Sequence, residues 1–183
     1  MTIFINLLTF SRILLGAFIF ILLMSPDNYL LALILFFIAG ITDYFDGYLA
    51  RKYNAVSEIG EILDPIADKI LIVFVLFGLA VNLTSYLIGF IGALIITREI
   101  WVGALRDLNA RSNKSNATKV TFLAKIKTTI QLFTLSIYLL ALTMNSMLLI
   151  VIADVLLFAS LFITLYTGFI YTSNSFNKDK LIK

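Results

Sequence analysis

The chain holds 183 residues, 61% of them hydrophobic and 14% charged, with a net charge of +3 and a mean hydropathy of +1.01. A water-soluble fold of this length needs more polar surface than such a composition supplies, so one compact integral membrane domain over residues 1–183 is expected. Cysteine and histidine are both absent, which excludes disulfides, thiolate or imidazole metal sites, and catalysis by either side chain.

Apolar runs fall at 5–25, 29–49, 60–82, 85–105, 121–143 and 147–171. Each holds about 20 residues, enough at 1.5 Å per residue to span a hydrocarbon core of about 30 Å. Without water in that core the backbone must satisfy itself, and no run alternates as a barrel strand would. The expected fold is therefore all-α, with six transmembrane helices. The first run contains Arg12, a costly residue in mid-bilayer. Residues 1–11 are accordingly expected as a short interfacial amphipathic helix, with Arg12 snorkelling to the headgroups. No Lys or Arg precedes Arg12 and no small-residue cleavage site follows, so this run reads as retained.

Ser25-Pro26-Asp27-Asn28, Asn82-Leu83-Thr84-Ser85 and Thr143-Met144-Asn145-Ser146 read as turns, and they carry no Lys or Arg. The intervening loops are basic: Arg51 and Lys52 in one, Arg106, Arg111, Lys114, Lys119, Lys125 and Lys127 in or beside the other, and Lys178, Lys180 and Lys183 in the tail. Positive residues stay on the cytoplasmic side, which predicts both termini and both basic loops inside.

The acids gather in one place. At about 100° per residue, Asp43, Asp46, Gly47, Ala50 and Arg51 share one face of the second helix. Gly60, Asp64, Ala67 and Asp68 share a face of the third. The short connection makes the two helices antiparallel neighbours whose acidic faces can meet near the cytoplasmic boundary. Carboxylates that close need cations. Arg51 and Lys69 are candidates, and hard Mg²⁺ or Mn²⁺ ions suit an oxygen-only ligand set. Two such ions would clamp phosphate oxygens, small residues would admit a bulky ligand to the backbone, and Arg51 could fork onto a diphosphate. An ion path through a transporter and plain ion pairing at helix ends remain alternatives at this point.

The stretch from Asp43 to Asp68 also resembles a known signature, D-x2-D-G-x2-A-R-x8-G-x3-D-x3-D, which Asp43, Asp46, Gly47, Ala50, Arg51, Gly60, Asp64 and Asp68 match without a gap. It is the signature of the CDP-alcohol phosphatidyltransferases, whose six-helix architecture agrees with the pattern of runs. "NLLTFSR" (6–12), "LDPIADK" (63–69), "REIWVGALRD" (98–107) and "KIKTT" (125–129) are similar to the bacterial branch that joins CDP-diacylglycerol to glycerol 3-phosphate and releases CMP. The resemblance implies two Mg²⁺ or Mn²⁺ ions held by Asp43, Asp46, Asp64 and Asp68, with Asp68 also the catalytic base. It implies a CDP pocket of Gly47, Ala50, Arg51 and Gly60 with those aspartates, to which Asn6 and Thr9 are added. It further implies a homodimer in a bacterial inner membrane, with the active site facing the cytoplasm. No nucleic-acid partner is expected.

An acceptor phosphate needs cations, and Arg98, Arg106, Arg111 and Lys125 are the candidates. Arg98 and Glu99 lie inside an apolar run, where a charge should face the protein interior; Arg98 could also simply pair with Glu99. The competing reading makes the basic residues positive-inside anchors for anionic lipid, and it is preferred for Lys114 and Lys119. Phosphatidylglycerol, serine or an inositol phosphate are alternative acceptors. A cation transporter is the alternative of another class, disfavoured because the acids sit on two adjacent helices near one surface. Asp154, alone in the last run, is given no role.

Overall fold

The computed structural model describes residues 2–52, 58–112 and 122–176, apart from the side chains of 2–6, 44, 46–52, 58, 59, 61, 62, 64, 65, 124 and 125. Six long helices follow in order: α1 (Thr2–Leu22), α2 (Tyr29–Lys52), α3 (Glu58–Asn82), α4 (Tyr86–Arg111), α5 (Phe122–Met144) and α6 (Met147–Phe176). A single 3₁₀ turn, Pro26–Asn28, leads into α2. No strand occurs among the described residues. This is the expected all-α membrane architecture. Pro26–Asp43, Tyr86–Arg111, Ile126–Met144 and Met147–Phe176 are each long and apolar enough to cross a bilayer, and Leu7–Leu22 is a shorter apolar helix. In α3 the acidic first turns shorten the apolar stretch, although its 25 residues reach as far as its neighbours.

The turns follow from local chemistry. Thr84 and Asn145 adopt the left-handed conformation, with φ of 47° and 48°. After each, a backbone N–H reaches back five residues, Ser85 to the Ala80 carbonyl and Ser146 to the Ala141 carbonyl. That pattern is a Schellman closure, which satisfies the last carbonyls of α3 and α5 and reverses the chain in two residues. Ser85 then caps α4 by accepting the Ile88 N–H at 3.3 Å.

The helices pack in the cyclic order α1, α3, α4, α6, α5, α2, each on its two neighbours, with a smaller contact between α3 and α5. α1 lies parallel to α3 along most of its length. Arg12 faces Asp68, Gly16 faces Leu71, and Leu23 faces Gly78. A Cβ on Gly16 would come within 3.2 Å of the Leu71 Cα, so the bare glycine lets the two backbones close up. The core is apolar, with Ile19, Leu23, Phe36, Val75, Leu79, Ile91, Ile95, Leu139 and Leu157 buried. Phe18, Phe37, Phe90, Phe133, Phe162 and Phe169 point outward, as lipid-facing residues do.

Two expectations change. α1 is one continuous helix from Thr2, so residues 2–11 are its first turns and not a helix separate from the rest of the run. Among the described residues, α2 and α3 are not packed neighbours over their length; α1 lies against both of them. A short connection allows two helices to be adjacent but does not exclude a third helix from the seam.

Candidate active site

Arg12 is fully buried, and it occupies the point where α1, α2 and α3 converge. Its Nη1 lies 2.9 Å from Asp43 Oδ1 and 2.6 Å from Asp68 Oδ1. The expected excursion to the headgroups does not occur. A buried cation is stable only with compensating charge, and the two carboxylates supply it. They in turn remain open on their outer side, with side chains 47% and 43% exposed. The acidic faces of α2 and α3 therefore do meet, across a side chain of α1.

Thr9, one turn before Arg12, is also fully buried, and Gly60 is buried two turns before Asp68. Asp46, Gly47, Ala50 and Arg51 continue α2, Asp64 sits on α3, and Asn6 on α1. Their side chains and surroundings lie outside the described ones, as does the side chain of Lys125. Among the described residues no group of three or more acids is gathered.

Asp68 also borders a cavity of about 590 Å³ between α3, α4 and α5. Its polar wall is Asp68, Lys69, Arg98, Glu99, Arg106, Lys127, Thr128 and Gln131; its other wall is largely isoleucine, including Ile66, Ile70, Ile96 and Ile100. Glu99 organises the cations. Its Oε1 accepts from Arg98 Nη1 at 2.8 Å and from the Lys127 ammonium. Arg98 Nη2 donates to Thr167 on α6 at 2.6 Å. The Tyr171 ring lies 5.8 Å from the Arg98 guanidinium carbon and 5.7 Å from that of Arg106, within cation–π range. Gly168 makes room for this arrangement, since a Cβ there would stand 3.0 Å from Arg98 Cγ.

Four cations thus converge beside one carboxylate of the acidic site. Of the sequence-predicted acceptor cations, Arg98 and Arg106 line this cavity. Arg111 does not reach the cavity; it is 77% exposed and pairs with Asp107 one turn away at 2.8 Å. Glu99, Lys127 and Gln131 were not among the candidate site residues, and Lys69 was a candidate partner for the aspartates only. Arg12 and Lys127 both had a legible signal, a charge inside or at the edge of an apolar run, which is the argument that placed Arg98 correctly. Asp154, left unassigned, accepts a hydrogen bond from Tyr138 and ties α6 to α5.

The sequence pattern of the CDP-alcohol phosphatidyltransferase domain matches residues 3–166. The chain is 40% identical over 148 residues to a CDP-diacylglycerol–glycerol-3-phosphate 3-phosphatidyltransferase of Rickettsia bellii, covering 80% of each protein. It is 39% identical over 170 residues to the protein of that name from Rickettsia typhi, covering 91% of this chain and 93% of the relative. A Salmonella choleraesuis protein of the same name is 35% identical over 133 residues, covering 72% of this chain and 73% of the relative. The pattern match over most of its length, the six-helix membrane fold and the convergent aspartates agree: this chain belongs to the CDP-alcohol phosphatidyltransferase family.

Proposed function

We propose that this membrane transferase moves the phosphatidyl group of CDP-diacylglycerol onto glycerol 3-phosphate, giving phosphatidylglycerophosphate and CMP. The observation that carries the reading is the position of Asp68. It belongs to the acidic site and borders the cavity that Lys69, Arg98, Arg106 and Lys127 make positive. A carboxylate beside an anion-binding cavity is the arrangement needed to bring an acceptor hydroxyl to phosphorus.

The residues fit a divalent metal. Asp43 and Asp68 already share one cation between their Oδ1 atoms, stay half open outward, and offer only oxygen. With Asp46 and Asp64 on the same two helices, these four would hold Mg²⁺ or Mn²⁺, two ions by the family's signature. Bound metal would neutralise the diphosphate and stabilise the departing CMP.

The chain's own residues do the rest. Asn6, Thr9, Gly47, Ala50, Arg51 and Gly60 form the CDP pocket. Arg98 and Arg106 from α4, Lys127 from α5 and Lys69 from α3 hold the acceptor phosphate by charge-assisted hydrogen bonds. Asp68 takes the proton of the attacking hydroxyl. Positioning the hydroxyl about 3–3.5 Å from phosphorus makes the displacement effectively unimolecular. The acyl chains stay in the bilayer. The basic loops support both termini and this site lying at the cytoplasmic face of a bacterial inner membrane, and the family resemblance supports a homodimer as the active form.

Transport along the acids is disfavoured by what lies beyond them. Ile19, Leu23, Val75 and Leu79 are buried between the site and the opposite end of the bundle, with no acid among them. Purified protein given CDP-diacylglycerol, Mg²⁺ and separate labelled acceptors should release CMP with glycerol 3-phosphate and stop on addition of EDTA. Asp68→Asn should cut that rate by about 10²–10⁴-fold. Release only with phosphatidylglycerol, serine or inositol phosphate would refute the acceptor; no release with any would refute the reaction.

A further inference from the structure

We infer that Arg12 positions the acidic site: its guanidinium holds Asp43 and Asp68 toward one point and competes with a divalent ion for their Oδ1 atoms. The inference rests on the metal-assisted reading above and adds a residue outside the aspartate signature.

Three observations lead to it. Arg12 is 0% exposed on a helix facing lipid on its other side, so its charge is sustainable only against fixed anions. One nitrogen, Nη1, serves one oxygen from each of two helices, 2.9 Å to Asp43 and 2.6 Å to Asp68. α1 is set against α3 by backbone approach at Gly16, one turn beyond Arg12, so the helix supporting the guanidinium has little freedom to withdraw. Without Arg12 the two carboxylates would repel each other and splay. With it, their oxygens are held facing one point before any metal arrives.

A divalent ion held by the same two carboxylates would lie close to the guanidinium. A double charge within a few ångströms of a guanidinium is strongly repelled in a half-buried site. An ion drawn to the same Oδ1 atoms would compete with Nη1 for them. Metal and guanidinium therefore compete for the pair. Since α1 is fixed, loading proceeds by a side-chain exchange rather than by a helix movement. Arg12 is a positioning residue: it keeps the ligand set assembled and sets how tightly a metal must bind to compete with it.

The test reads binding and side-chain state rather than turnover. In detergent-solubilised wild-type protein, the ¹⁵N guanidinium resonance of Arg12, identified by its loss in Arg12→Lys, should shift or broaden on titration with Mg²⁺. The Arg98 resonance should stay in place. Arg12→Gln should bind Mn²⁺, followed by electron paramagnetic resonance, about tenfold more tightly than wild type. It should also melt at a lower temperature than wild type in EDTA and recover more on adding Mg²⁺. Metal binding that leaves the Arg12 resonance unmoved, or Mn²⁺ affinity in Arg12→Gln no tighter than wild type, overturns the inference and leaves the transferase reading intact. Wild-type protein that binds no Mn²⁺ overturns the metal-assisted reading and this inference together. Should Arg12→Gln fail to fold, the wild-type spectrum decides alone.

Discussion

Arg98 and Arg106 share the Tyr171 ring but differ in freedom. Arg98 is 7% exposed and tied by Glu99 and Thr167, whereas Arg106 is exposed with its guanidinium beside the ring. Arg98 is thus a fixed wall of the cavity, and Arg106 is the cation able to follow an arriving anion. Arg106→Ala should raise KM for glycerol 3-phosphate about tenfold, the scale of one lost charge-assisted hydrogen bond. KM for CDP-diacylglycerol should hardly change; steady-state kinetics with each substrate varied in turn separates the two. Equal rises in both would show that Arg106 supports the fold. At this scale the sequence was only partly legible. Charge inside an apolar run correctly marked Arg98 as facing inward, but at Arg12 the same cost was resolved by snorkelling to the headgroups instead. Lys125 and Lys127 are two residues apart, on opposite sides of a helix, and spacing alone does not say which one faces the cavity. The structure places Lys127 there.

At the scale of helices, the α4–α6 contact depends on one missing side chain. Gly168 lies against Arg98, and an added Cβ would meet Cγ at 3.0 Å and Nε at 3.1 Å. Arg98 is held at its far end by Glu99 and Thr167, so yielding would strain those bonds. Gly168→Ala should therefore cost about 1–3 kcal/mol of stability and lower activity, measured by thermal denaturation in detergent and by turnover. Combined with Arg98→Lys, the loss should be smaller than the sum of the separate losses, because the two residues form one contact. The turns give a prediction of opposite sign. Thr84 and Asn145 take the same left-handed conformation, which β-branched residues resist and asparagine tolerates. Thr84→Asn should stabilise the protein by about 0.5–1 kcal/mol, read as a higher melting temperature. Helix number and turn positions were readable because apolar length and Gly-, Pro- or Asn-type breaks are local properties. The seat of α1 between α2 and α3 was not, because helix order around a ring depends on which faces fit.

For the whole molecule, the native absence of cysteine makes orientation directly measurable. Single cysteines at Asn28, Thr84 or Asn145 should react with an impermeant maleimide applied outside intact cells. A cysteine at Ser112, at the end of α4, should react only after the membrane is opened. Labelling at Ser112 from outside would invert the topology and move the active site across the membrane. The contact between α2 and α5 closes the ring, and the three helices that meet at Arg12 all precede α4 in the chain. This order bears on biogenesis. An unpaired Arg12 in α1 and an unpaired Asp43 in α2 each resist entry into hydrocarbon, by about 2.5–3.5 kcal/mol at mid-bilayer and less near the boundary. Paired, they neutralise each other, so the first two helices can leave the translocon together as a hairpin. Asp68 joins them as the third helix arrives, completing an acidic pair before the second half of the chain is synthesised.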